Sequence, residues 1–140
     1  MIAPNKILID ADAFVALNHK DDPNHTRALL LVAQIRDQKT DLLTSDPAFG
    51  EAITIISQEV ALEPAVKFAL KTLRGPIDIV EVDSALRNDA LEIFSKQTSK
   101  NSRFTDCINM AVMKRERIDT IFSFDKHYKK NGFKRFGIDE

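Results

Sequence analysis

Two hydrophobic rhythms alternate along the chain. The run Ile7, Leu8, Ile9 is continuous and mostly β-branched, and it stops at an acid, Asp10. Such a run suits a strand covered on both faces. A short helix over 13–17 follows, then a turn at Asp21-Asp22-Pro23-Asn24. Residues 25–38 carry Ala28, Leu31, Val32 and Ile35 at helical spacing. Residues 41–44 read as a second strand, ended by Ser45-Asp46-Pro47, where Ser45 or Asp46 caps a helix running to about residue 60 with Pro47 in its first turn. Phe49, Ile53, Ile56 and Val60 form its stripe, and Glu51 lies near its start. Pro64 opens a further helix with Ala65, Phe68, Ala69 and Leu73 as its apolar face, closed by Gly75-Pro76.

In the second half, residues 77–82 are the clearest β run after the first, and Asp83 is placed to cap a helix over 84–97 that faces inward with Leu86, Ala90 and Ile93. A polar loop over 98–103 leads to a helix over 104–115, with Asp106 in its first turn and Ile108, Ala111 and Val112 as its buried face. Residues 120–125 form another strand ending at an acid, followed by a short basic helix and a last edge strand at 134–136. Strands alternating with helices predict an α/β fold with a parallel sheet layered between helices.

At 140 residues the chain predicts one domain with a sizeable core. Glycine and proline are scattered, so no linker divides it. The longest purely apolar stretch, residues 28–33, falls far short of the ~18 residues of a membrane span. The first residues lead straight into a strand without room for a signal peptide, and Cys107 is alone, which excludes a disulfide framework or a thiolate cluster. A cytoplasmic protein without membrane contact is the expectation. The charge, −1 in total, is uneven: residues 1–95 carry 9 Lys and Arg against 15 Asp and Glu, and residues 96–135 carry 11 against 4. A basic C-terminal third suits a phosphate backbone, although mixed surface helices produce the same count.

Four acids share one kind of address. Asp10 and Asp125 stand at or just past the carboxyl ends of strands, and Glu51 and Asp106 lie in the first turns of helices expected to begin at the same edge. In a parallel sheet these points fall on one rim, where open α/β sheets keep their ligands. Each acid alone is accounted for by capping or by the helix dipole, as Asp12 is by capping the first helix. Together on one rim they repel unless a cation joins them. Oxygen donors favour Mg²⁺ or Mn²⁺ over zinc, one ion or two, and such an ion activates water and neutralises a phosphodiester under attack.

The blocks Ile7-Leu-Ile-Asp-Ala-Asp-Ala-Phe-Val-Ala-Leu17, Thr44-Ser-Asp-Pro-Ala-Phe-Gly-Glu51, Phe104-Thr-Asp-Cys-Ile-Asn-Met-Ala-Val-Met113 and Ile121-Phe-Ser-Phe-Asp-Lys-His-Tyr128 resemble, in order and spacing, the successive acidic blocks of the PIN-domain nucleases. By size the chain is similar to the VapC-type toxins of toxin–antitoxin pairs. The resemblance implies a five-stranded parallel sheet in a three-layer α/β/α arrangement and a Mg²⁺- or Mn²⁺-dependent endoribonuclease. Asp10, Glu51, Asp106 and Asp125 match the metal-binding acids, and Thr105 matches a supporting hydroxyl. A homodimer and a blocking antitoxin protein are implied as partners beside the RNA substrate. Asp12 stands where Ser, Thr or Asn is more usual, as an outer-shell ligand or an added negative charge. Arg103, Lys126, Lys129 and Lys130 are the expected grips on the RNA backbone.

Two other readings compete. Asp10-Ala-Asp12 also resembles the nucleophile motif of haloacid-dehalogenase-like phosphatases, but that leaves Glu51 and Asp106 without purpose. A non-catalytic module of the same fold, binding RNA or protein, is the other. His19, His25 and His127 lack a common metal-binding spacing, and His127, beside Tyr128, Lys129 and Lys130, is the histidine best placed to touch a phosphate. There is no glycine-rich phosphate loop.

Overall fold

A computed structural model describes residues 3–139. Five parallel strands run β1 (Lys6–Ile9), β2 (Asp41–Ser45), β3 (Asp78–Val80), β4 (Thr120–Phe122) and β5 (Lys134–Arg135), in the spatial order β3-β2-β1-β4-β5. The helices are α1 (Ala11–Asn18), α2 (His25–Asp37), α3 (Asp46–Glu59), α4 (Leu62–Arg74), α5 (Ser84–Ser95), α6 (Phe104–Glu116) and α7 (Lys126–Lys130). Strand order reverses at β1, so the carboxyl ends of β1 and β4 flank the crevice where such sheets place their chemistry.

Side-chain alternation along β1 divides the interior in two. Ile7 and Ile9 pack with α1 to α4, around Phe14, Phe49 and Phe68, whose rings meet at 5.0 Å (Phe14–Phe68) and 5.9 Å (Phe49–Phe68). Leu8 points the other way, into the layer of α5, α6 and α7 with Leu86, Met110 and Tyr128. The three layers expected from the alternation of elements are therefore present.

Several boundaries differ from the sequence reading. The strand expected over 77–82 pairs only over Asp78–Val80, and that expected to reach Asp125 ends at Phe122. Asp125 instead caps α7, three residues beyond the ladder. Glu51 is the sixth residue of α3 and so sits in its second turn rather than its first. Helix α4 starts two residues before Pro64, and Thr72 is buried where Leu73 was expected, leaving Leu73 61% exposed. The Thr72 hydroxyl is satisfied by the Phe68 carbonyl at 2.8 Å, which makes its burial inexpensive. Val60 is an exposed C-cap rather than part of the α3 stripe. Helix α6 buries every residue from Asp106 to Met113, not one face only, because α3, α5, α7 and the sheet surround it.

Candidate active site

The first acid is fixed by the end of β1. The Asp10 N–H donates to the Phe122 carbonyl at 3.1 Å, extending the β1–β4 ladder, and its carboxylate accepts from the Ala11 N–H at 2.7 Å as the N-cap of α1. Asp10, not Asp12, is thus the cap, since the helix begins two residues earlier than its apolar spacing suggests. Ser45 ends β2 and caps α3 by accepting from the Ala48 N–H at 3.2 Å.

Asn109, wholly buried on α6, ties these two strand ends together. Its Oδ1 accepts from the Ser45 hydroxyl at 2.5 Å, while its Nδ2 donates to Asp10 at 3.0 Å and to the Tyr128 hydroxyl oxygen at 2.9 Å. Tyr128, buried on α7, in turn faces two carboxylates, with its hydroxyl 2.8 Å from Asp10 Oδ2 and 3.2 Å from Asp106 Oδ1. One hydroxyl proton cannot serve both acids fully.

The β4–α7 loop carries Asp125, and Asp12 shapes it. Asp12 Oδ2 accepts from the Phe124 N–H at 2.8 Å and the Ser123 hydroxyl at 3.1 Å, and the same hydroxyl oxygen accepts from the Asp125 N–H at 3.1 Å. Behind the loop, Arg135 donates to the Phe124 carbonyl at 3.0 Å while its guanidinium grips Asp139 through two bonds of 2.7 and 3.0 Å. Asp125 then accepts from the His127 N–H at 2.9 Å.

Charge in this cluster is poorly compensated. Burial, then the neighbouring Asp10 and Asp125, pushes the Asp106 carboxyl up to about 7, against the hydrogen bond from Tyr128 and the nearby His127. Burial and then Asp10 push Asp12 up to about 7, opposed by the Phe124 and Ser123 hydrogen bonds. Asp10 is raised too, first by burial and further by Glu51 and Asp125, against its bonds from Tyr128 and Ala11. Tyr128 lies well above its ordinary value, chiefly through burial and then the two acids it faces. Buried Asp106 Oδ2 and Asp12 Oδ1 have no hydrogen-bond partner among the described residues.

The unpartnered Asp106 oxygen fits a divalent cation. Asp106, Asp125 and His127 each offer one ligand atom, and the three atoms lie within 4.8 Å of one another. Asp10 adjoins this group through Tyr128. Glu51 is turned toward Arg103, whose guanidinium meets its Oε1 at 3.1 Å from the end of the polar loop. Thr105 sits half-buried beside Asp106 in the first turn of α6. Among the expected phosphate grips, Lys126 and Lys130 are exposed on α7, Lys129 is drawn to Asp139 at 3.8 Å, and Arg103 is engaged with Glu51.

Sequence reasoning named Ser45 as a cap but missed its bond to Asn109, along with Asn109, the Tyr128 hydroxyl, Ser123 and the approach of His127 to the acids. A signal existed for Asn109, an amide within the apolar run Cys107-Ile-Asn-Met-Ala-Val112 that a buried helix does not need.

A parallel sheet in the order 3-2-1-4-5, with its acids gathered at the switch point, defines the class: the chain belongs to the PIN domain family, which matches residues 7–134. Among individual proteins it is similar to the 23S rRNA-specific endonuclease VapC20 of Mycobacterium tuberculosis, in strains CDC 1551 / Oshkosh and ATCC 25618 / H37Rv, at 25% identity over 127 residues covering 91% of this chain and 95% of the relative. The crystal structure of M. tuberculosis VapC20, described as a sarcin-ricin loop cleaving toxin, shares the fold with a TM-score of 0.83 at 24% identity, over 91% of this chain and 95% of that one.

Proposed function

We propose that this protein is a divalent-metal-dependent endoribonuclease and the toxin of a toxin–antitoxin pair. The observation that carries the reading is Asp106, a carboxylate 5% exposed with one oxygen unpartnered, beside Asp10 and Asp125. Leaving such a group uncompensated costs about 1–3 kcal/mol or more, and a cation removes that cost. Asp106 and Asp125 would hold the ion, with Asp10 and Glu51 completing its surroundings. When bound, Mg²⁺ or Mn²⁺ supplies an acidified water and neutralises charge on the phosphodiester.

The rest falls to the chain itself. Tyr128 and Asn109 hold Asp10 and Asp106 in one orientation, which avoids reorganisation as charge develops. Asp12, Ser123 and Arg135 fix the loop that carries Asp125. Lys126 and Lys130 attract the backbone of the RNA, and Arg103 can exchange Glu51 for a phosphate because its side chain is 69% exposed. A phosphatase reading would leave Glu51 and Asp106 idle.

The partners expected beside the RNA are an antitoxin and a second copy of this chain. An apolar cleft of about 590 Å³ opens between α1, α2 and α4, with Phe14, Leu17, Val32 and Phe68 in its wall and Arg36 and Lys71 at its rim; it supports docking of an antitoxin. Leu62, Val66, Leu70 and Leu73 line the outer face of α4, all more than 40% exposed, and support a homodimer. No helix among the described residues is long and apolar enough to cross a membrane, in keeping with action on RNA in the cytoplasm.

Cleavage of a mixed RNA pool and of a sarcin-ricin loop hairpin, with Mg²⁺ or Mn²⁺ and with EDTA, tests the reading. Cutting with metal and none with EDTA is the expected outcome. Folded protein that cuts neither RNA under either metal contradicts it.

A further inference from the structure

The acids described above are not the whole donor set. His127 is the second residue of α7, and the capping bond from its own N–H to Asp125 Oδ1 holds the ring against that carboxylate, with Nδ1 2.9 Å from the same oxygen. At that distance a hydrogen bond is expected, yet the ring is misaligned for one, and buried Nδ1 has no hydrogen-bond partner among the described residues. One nitrogen of the His127 ring, an Asp125 oxygen and an Asp106 oxygen all fall within 4.8 Å of one another, and Nδ1 itself stands 2.9 Å from Asp125 Oδ1. A six-coordinate ion with bonds of about 2.1 Å spaces its ligands roughly 3.0 to 4.2 Å apart, so the three atoms lie close to the separations one ion imposes. Asp106 Oδ2 is moreover buried and unpartnered among the described residues.

We propose that His127 Nδ1 is a direct metal ligand with Asp106 and Asp125, and that this mixed nitrogen–oxygen set makes the site selective for a first-row transition ion such as Mn²⁺ over Mg²⁺. The inference rests on the metal-dependent reading above and goes beyond it, since carboxylates alone do not separate the two ions. Mg²⁺ is a hard cation that takes oxygen and keeps its waters, whereas imidazole is a good ligand for transition ions. The approach of the ring also follows from local structure. A cap at Asp125 puts residue 127 within one bond of the acid, and no sequence spacing among the three histidines could reveal it.

The test needs no turnover. Mn²⁺ bound to the full-length protein is examined by pulsed electron paramagnetic resonance for coupling to a directly bonded nitrogen, and Mn²⁺ and Mg²⁺ affinities are measured by calorimetry for wild type, His127→Asn and Asp106→Asn. Wild type is expected to show the nitrogen coupling. His127→Asn, whose amide oxygen can stand near the place of Nδ1, is expected to lose it and to reduce the preference for Mn²⁺ over Mg²⁺ by about tenfold or more. Mn²⁺ bound without nitrogen coupling overturns the role of His127 and leaves the nuclease reading intact. Coupling that persists in His127→Asn overturns it equally. Wild type that binds neither ion any better than Asp106→Asn overturns the metal-dependent reading and this inference together. The wild-type spectrum decides the ligand even if the variant fails to fold.

Discussion

Asp106 concentrates the conflict between folding and function. Its replacement by Asn keeps the shape and removes a charge that burial and two other acids oppose. Asp106→Asn is therefore expected to melt several degrees higher than wild type in EDTA near pH 8 while losing its RNA cleavage, with thermal unfolding and a cleavage assay as the paired readouts. A variant less stable than wild type under those conditions contradicts the electrostatic account. Tyr128 is the opposite case. Phenylalanine preserves the ring packing but leaves Asn109 Nδ2 and Asp10 Oδ2 each short of a partner at a wholly buried position. Urea denaturation of Tyr128→Phe should show a loss of about 1–3 kcal/mol; an unchanged midpoint would mean the hydroxyl is not part of the native network. At this scale Asp10, Asp106 and Asp125 were legible as candidates because each lies beside a strand end or helix start, which leaves a mark in the sequence, whereas Glu51 lies in the second turn of α3 and meets Arg103. The core bonds of Tyr128, Asn109 and Ser45 were not legible, because their partners lie 19 to 118 residues away and polar groups meeting across the core leave no periodic trace.

Among the elements, α3 and α7 show how a cap serves the site as well as the helix. Ser45 both starts α3 and donates to Asn109. Ser45→Ala removes a cap worth about 1 kcal/mol and also orphans the amide oxygen, so its effect on stability should exceed that of an exposed cap such as Asp83→Ala, corrected for the lost Arg115 pair. Comparison of the two variants by chemical denaturation checks the difference. The order and type of the elements were readable from apolar spacing, and Asp83 and Pro47 mark helix starts as expected. Strand lengths were not: residues 81–82 and 123–125 have strand-like composition but no neighbouring strand reaches them, and pairing is a property of the sheet. On α6 the periodicity pointed to one buried face, and only the surrounding elements explain why its central residues are all enclosed.

For the whole molecule, the raised acids set a pH dependence. Asp12 and Asp106, ordinarily near 3.8, reach about 7 in the folded state. The folded protein therefore binds these protons more tightly than the unfolded chain. The stability they favour is full below pH 4 and is lost as pH rises toward and through 7. A divalent cation replaces the protons, so Mn²⁺ should raise the melting temperature more at pH 8 than at pH 5, a difference read by thermal unfolding with and without EDTA. The basic C-terminal third makes its own prediction. With Lys129 drawn to Asp139, Lys126→Ala and Lys130→Ala should each lower the salt slope of RNA binding more than Lys129→Ala does.

The central claim is that a cation held at Asp106 and its neighbours enables this chain to cut RNA. Single-turnover cleavage of one RNA substrate in saturating Mn²⁺, by wild type and by Asp106→Asn of equal folded content, tests it most directly. A fall of at least about a hundredfold in rate, of the size seen when one charge-stabilising group is removed from an active site, is the predicted result; equal rates for the two proteins would contradict it.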